Sequence, residues 1–189
     1  GEGYVPGEGG AFMIVERLEH AQRRAAPQIY AEVVGYGATQ DAYHHSRPAP
    51  DGQQLARAIT LALREAGIGP PDIDAIFLDA VGTREWDEPE VRAVRDVFKE
   101  HARQVPATAP KSMVGRLHSG GAALDVATAL MAIRDRSIPP TVNLDRPREG
   151  CELNFVLAKP QERDLKHVLL IARGFGGFNS ALVLRRFVE

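Results

Sequence analysis

The sequence predicts an α/β layered fold with a mixed, partly parallel sheet flanked by helices. Three observations carry this. Short apolar segments alternate with helix-period segments through the middle of the chain. AIFLDA (75–80) is nearly all apolar, as a strand covered on both faces is. HVLLIAR (167–173) and ALVLRRF (181–187), joined by the glycine-rich GFGGFNS, have the form of a hairpin.

The elements follow in order. AFMIVE (11–16) reads as a strand, and the polar stretch 17–24 as a short helix. QIYAEVVGYG (28–37) has the β-branched and aromatic content of a strand. A polar loop containing Pro48 and Pro50 leads to Asp51, which is placed to cap a helix over 52–66. Leu55, Ile59, Leu61, Leu63 and Ala66 give that helix its apolar spacing, and Gly67, Gly69, Pro70 and Pro71 stop it. Residues 88–100 form a charged helix that buries Val91, Val94, Val97 and Phe98. A short strand over 106–109 precedes a helix over 119–135 with a small-residue start, and Pro139 and Pro140 end that region.

Composition excludes several functions. The chain has 189 residues, 44% apolar and 25% charged, with a net charge of −2, so it has no basic field for nucleic acid or a membrane surface. It lacks the apolar run of about 18 residues that a spanning helix requires. Its one cysteine, Cys151, precludes an internal disulfide framework and fits a reducing, cytoplasmic setting. GEGYVPGEGG at the start lacks the regions of a signal peptide. The chain opens in loop-like sequence without a methionine, which points to a piece of a longer protein.

Most candidate site motifs fail on context. GEGG (7–10) and GFGG (174–177) each lead into a strand and complete no dinucleotide fingerprint. Lys111-Ser112 follows Ala109 and Pro110 where a phosphate-binding loop needs glycine. Of six histidines only His44 and His45 are close, and adjacent ligands suit no common zinc spacing, so no metal is expected. Nothing near Cys151 supplies the positive environment and oriented base of a nucleophile. APKSMVGRLHSGGA (109–122) is different: Ser119, Gly120, Gly121, Ala122 and Ala123 let a helix N-terminus come close to a neighbour. Anion binding and tight packing both fit those residues.

Seven segments in order resemble one family: GYVPGEGGA (3–11), GYGATQDAYH (35–44), PDG (50–52), the set Gly82, Thr83, Asp87 and Glu90, PKSMVG (110–115), IPPTVNL (138–144) and GFGGFNSALVLRR (174–186). They are similar to the C-terminal half of a β-ketoacyl synthase and span essentially the whole chain. The resemblance implies a thiolase-like fold of two similar α/β halves. It makes residues 1–189 the second half, with the nucleophile position in the other, so Cys151 is not the nucleophile. It also implies two histidines that donate hydrogen bonds to a thioester oxygen while a malonyl group is decarboxylated. In this sequence those positions hold Asp79 and Arg116. A carboxylate only accepts hydrogen bonds, and an arginine is longer and always charged. His118 lies two residues beyond the motif position and points elsewhere.

No catalytic residue is therefore expected. What remains is the frame of a degenerate site: Asp79, Gly82, Thr83, Asp87, Glu90, Lys111, Gly115, Arg116, Gly174, Phe175, Gly176 and Gly177. The family pattern implies an ion pair between Lys111 and Glu90 and an oxyanion-hole amide at Phe175. The opposite charges at the two former histidine positions predict an Asp79–Arg116 salt bridge. The pattern resembles the chain-length-factor branch of type II polyketide synthases. Members of that branch do not condense. They pair with a catalytic ketosynthase, shape the tunnel for the growing chain, and work with an acyl carrier protein that delivers phosphopantetheine thioesters. Two rivals are an active thiolase-fold enzyme with altered site residues and a stand-alone interaction module. Against the second, a lone half would expose the apolar patch that packs on its twin.

Overall fold

The computed structural model describes residues 3–188. In chain order its elements are α1 (Leu18–Arg23), β1 (Ala31–Gln40), α2 (Gln53–Ala66), β2 (Ala75–Phe77), α3 (Arg84–Phe98), β3 (Pro106–Thr108), α4 (Lys111–Val114), α5 (Gly121–Asp135), β4 (Ser137–Ile138), β5 (Asn154–Phe155), β6 (Gln161–Glu162), β7 (His167–Gly174) and β8 (Phe178–Arg186). Six strands form one mixed sheet in the order β1-β8-β7-β2-β3-β5, and β4 and β6 pair separately. β7, β2, β3 and β5 run parallel, while β8 is antiparallel to both β7 and β1. The predicted hairpin is β7–β8.

The period-2 alternation of β2 and β7 sorts their side chains into two cores. Ile76, Leu169 and Ile171 face α2 and α3, where they pack with Leu55, Ile59, Val94 and Phe98. Ala75, Phe77, Val168 and Leu170 face α5, where they pack with Ala129, Ala132 and Ile133. The sheet is thus covered on both sides at its centre, as the all-apolar AIFLDA required.

Helix α2 sits very close to β1, and glycine makes this possible. A Cβ at Gly35 would lie 2.1 Å from the Ala62 carbonyl oxygen, and one at Gly37 2.1 Å from that of Ala58. Asp51 accepts a hydrogen bond from the Gln53 N–H at 3.0 Å at the start of α2, and Gly67, in the left-handed region, ends it.

The predicted strand over 11–16 does not form. That stretch is irregular, and Phe12, Ile14 and Val15 stand out in solvent. A strand needs a ladder partner, and none lies beside this one among the described residues. The central strands β2 and β7 are covered, while this segment and Val33, Tyr36 and Phe178 of β1 and β8 are among the exposed large apolar residues. The charged helix begins at Arg84, four residues earlier than its apolar spacing indicated, and Pro89 is buried within it. None of the described helices is long and apolar enough to cross a membrane.

Gly37→Ala drives a methyl group into the α2 backbone. It is expected to lower stability by about 1–3 kcal/mol, read as a lower urea midpoint; an unchanged midpoint would show that α2 can move off the sheet freely.

Candidate functional site

Parallel α/β sheets build sites at the carboxyl ends of their strands, where loops leave for the helices. Here the ends of β2, β3 and β7 deliver Asp79, Lys111 and the turn at Gly174. Arg116 follows α4, and Asp125 comes from the second turn of α5. Asp79, Lys111, Arg116, Asp125 and Glu90 are all buried.

The predicted salt bridge is present: Arg116 Nη2 lies 3.2 Å from Asp79 Oδ2, and both side chains are at least nine-tenths buried. Lys111 does not pair with Glu90. Its ammonium donates to Asp125 Oδ2 and, at 3.2 Å, to the Leu78 carbonyl, and lies 4.0 Å from Asp79 Oδ1. The reason is geometric. Lys111 faces the start of α5, while Glu90 lies under the β2–α3 loop and takes its N–H groups. Glu90 Oε1 accepts from the Asp79 N–H at 2.7 Å and Oε2 from the Ala80 N–H at 2.9 Å. Those bonds hold a turn in which Ala80 has a positive φ of 40°. Asp87 Oδ1 similarly accepts from the Gly82 N–H at 3.1 Å.

Asp125 escaped the sequence reading, although a signal existed. It is the one charged residue between Gly121 and Ile133, in an otherwise apolar helix. Arg173 was also missed. It is buried, donates to the Trp86 carbonyl at 2.6 Å and lies over the Trp86 ring.

Burial and electrostatics work against the carboxylates. Loss of solvent and the nearby Asp79 charge push Glu90 up to about 7, against the opposing pull of Arg173 and the backbone N–H groups. Burial raises Asp87 and Asp125 as well, partly offset by the Gly82 N–H and by Lys111 respectively. Burial likewise raises the Cys151 thiol, which suits an inert residue.

The N-terminal segment closes over this cluster. The Gly3 N–H donates to the Gly82 carbonyl, the Arg116 N–H to that of Val5, and the Gly7 N–H to that of Arg116. Glycine is needed at both crossing points: a Cβ at Gly82 would meet the Gly3 oxygen at 2.6 Å, and one at Gly7 the Val114 oxygen at 2.2 Å. Gly120 likewise admits the Gly9 carbonyl. The small residues before α5 therefore serve close packing. The Tyr4 ring lies 5.8 Å from the Arg116 guanidinium carbon. His118 turns away from Asp79, packing between Tyr4 and Phe175, and Phe175 in turn meets Trp86. A cleft of about 1000 Å³ is lined by Glu90, Lys111 and Arg116 of this cluster and by the loop that follows β4.

Residues 30–145 match the sequence profile of the β-ketoacyl synthase C-terminal domain. The chain belongs to the β-ketoacyl synthase family. It is 49% identical over 187 residues to the tetracenomycin polyketide synthase ketoacyl synthase beta subunit of Streptomyces glaucescens, covering 97% of this chain and 44% of that protein. It is 41% identical over 188 residues to 3-oxoacyl-[acyl-carrier-protein] synthase 2 of Coxiella burnetii, covering 100% of this chain and 45% of that one. The fold matches the solved ishigamide ketosynthase/chain length factor with a TM-score of 0.92 and 34% identity, over 98% of this chain and 45% of that one. That match gives the β-ketoacyl synthase chain its thiolase-like α/β architecture. The chain spans about half the length of the curated relatives it matches.

Two outcomes follow from the buried charges. Asp79→Ala strands the Arg116 cation and is expected to cost about 3–5 kcal/mol. Asp79→Leu combined with Arg116→Met removes both charges and should cost much less than the two single changes summed, as denaturant midpoints in a double-mutant cycle would show. Zero coupling would mean that the pair contributes nothing as a pair. The second outcome concerns pH. Folded Glu90 holds its proton up to about 7, whereas the unfolded side chain releases it near the ordinary 4.5. Stability therefore falls as pH rises through that window, by up to about 3 kcal/mol from this group. Glu90→Gln lowers stability at every pH, because its amide NH2 confronts a backbone N–H, but should flatten this part of the slope. An unaltered slope would place the titration elsewhere.

Proposed function

We propose that this chain is the C-terminal half of a chain-length-factor-type subunit of a type II polyketide synthase: a noncatalytic partner that completes a ketosynthase assembly. The observation that carries the reading is the buried Asp79–Arg116 ion pair at the two positions where the family places donor histidines. Decarboxylative condensation needs donors aimed at an oxygen that becomes negative. Asp79 supplies none while ionised, and its charge opposes an enolate. Arg116 spends one N–H on Asp79. The Lys111–Asp125 pair and the Glu90 contacts with the β2–α3 loop keep the frame of the site in place without that chemistry.

On this reading the other half of the parent supplies the nucleophile position, and a catalytic ketosynthase is the partner in a heterodimer. The names of the relatives support this: one is a ketoacyl synthase beta subunit, and the structural neighbour is a ketosynthase/chain length factor. An acyl carrier protein would bring acetyl and malonyl groups as phosphopantetheine thioesters; the Coxiella relative is named as a synthase of a 3-oxoacyl-acyl-carrier-protein. The assembly would work in the cytoplasm. The same relative favours a second reading, an active condensing enzyme with altered site residues, because it is a synthase 41% identical to this chain.

Intact mass spectrometry of carrier-bound products separates the two. The full-length parent is incubated with malonyl-loaded carrier protein, alone and with its ketosynthase. Elongated chains are expected only with the partner. Elongation by the parent alone would establish the second reading.

A further inference from the structure

The main sheet ends in β1, the longest of the described strands, and β1 has β8 on its inner side and no described strand on its outer side. An open edge of this length presents unpaired N–H and C=O groups to any other strand. Its sequence, AEVVGYGATQ, is rich in strand-forming residues and carries neither lysine nor proline, two residues that commonly deter pairing at an edge. A second copy of the chain offers the same edge in antiparallel orientation, related by a two-fold axis.

The edge is interrupted in other ways. Before its midpoint, Glu32 pairs with Arg185 of β8 at 3.0 Å and places charge on the strand. A bulge between Val33 and Gly35 breaks the register with β8, which leaves 35–40 as the regular stretch. At the end of that stretch the Gln40 side chain donates to the Gly176 carbonyl at 2.8 Å and the Asp41 N–H to the Gly177 carbonyl at 2.9 Å, so the chain folds back onto the β7–β8 turn. Within it, the Tyr36 N–H donates to Glu65 Oε2 at 2.6 Å. In a ladder such outward groups recur at every second residue, here Tyr36, Ala38 and Gln40.

Glu65 belongs to the last turn of α2 and is exposed. It reaches the edge because Gly35 and Gly37 bring α2 against β1, with the Ala62 and Ala58 carbonyls directly over them. A strand added to β1 has to put a carbonyl where Oε2 now sits. The displaced carboxylate, still tethered to α2, then faces acceptors instead of a donor. Two copies of β1 meet this obstacle twice, since their pairing over 35–40 brings two like-charged Glu65 side chains into one interface.

We infer that Glu65 guards the open edge of the main sheet: its carboxylate occupies the Tyr36 N–H and keeps β1 from pairing with β1 of a second copy. The side chain lies on the far side of α2 from the buried charge cluster, so its role is separate from that site.

The test follows the full-length parent by light scattering as its concentration is raised. The unsubstituted protein is expected to keep one mass. Glu65→Ala frees the Tyr36 N–H and should add a species of twice that mass, at a concentration lower by roughly ten-fold or more than any self-association of the unsubstituted protein. Hydrogen exchange should show new protection of the 35–40 amides in the larger species. Glu65→Gln keeps an oxygen for this N–H and should hold the original mass. Arg64→Ala, on the same turn, controls for a general loosening of α2 and should also hold it. A single mass for Glu65→Ala overturns the assignment. So does association without protection of β1, or association of Glu65→Gln or Arg64→Ala equal to that of Glu65→Ala.

Discussion

The pairing of Asp79 with Arg116 is the constraint around which the rest of the site is arranged. Each charge is buried deeply enough that it could not stand alone. Lys111 and Asp125 extend the pair into a neutral cluster that ties the ends of β2 and β3 to the start of α5. Glu90 adds a clamp of a different kind, with both carboxylate oxygens on consecutive backbone N–H groups, and so fixes the direction in which Asp79 leaves β2.

The fold makes these contacts possible by close backbone approach. Gly35 and Gly37 let α2 lie almost against β1. Gly7, Gly82, Gly115 and Gly120 let the N-terminal segment pass over the site, where Val5 and Gly7 hydrogen-bond to Arg116. The GEGG stretch, which looks like a nucleotide loop in isolation, is thus a crossing point, and GFGG is the turn of the β7–β8 hairpin. The same segment then continues outward as Phe12, Ile14 and Val15, whose exposure marks a surface suited to burial against further protein.

On the proposed function, a subunit that does not condense shares its architecture with condensing enzymes, because the chemistry resides in very few groups. The strands, the glycines and the Lys111 contact fix positions; the side chains at 79 and 116 decide whether a developing oxyanion meets donors or a carboxylate.

The sequence by itself determined the α/β class, the hairpin, the buried central strand and the motif positions. These depend on local periodicity and on residue types at fixed spacing, which a linear chain displays directly. It also showed opposite charges at 79 and 116, positions that the family resemblance pairs in one site. Tertiary structure decided what no linear pattern contains. Lys111 turned to Asp125 rather than Glu90 because a lysine pairs with whichever acid the packing brings within reach, and the turn and helix between them, a separation of 14 positions, set that distance. Glu90 became a backbone clamp because the β2–α3 loop folds over it. The apolar run at 11–16 stayed irregular because a strand exists only through hydrogen bonds to a neighbour, and the neighbour is a property of the assembled molecule.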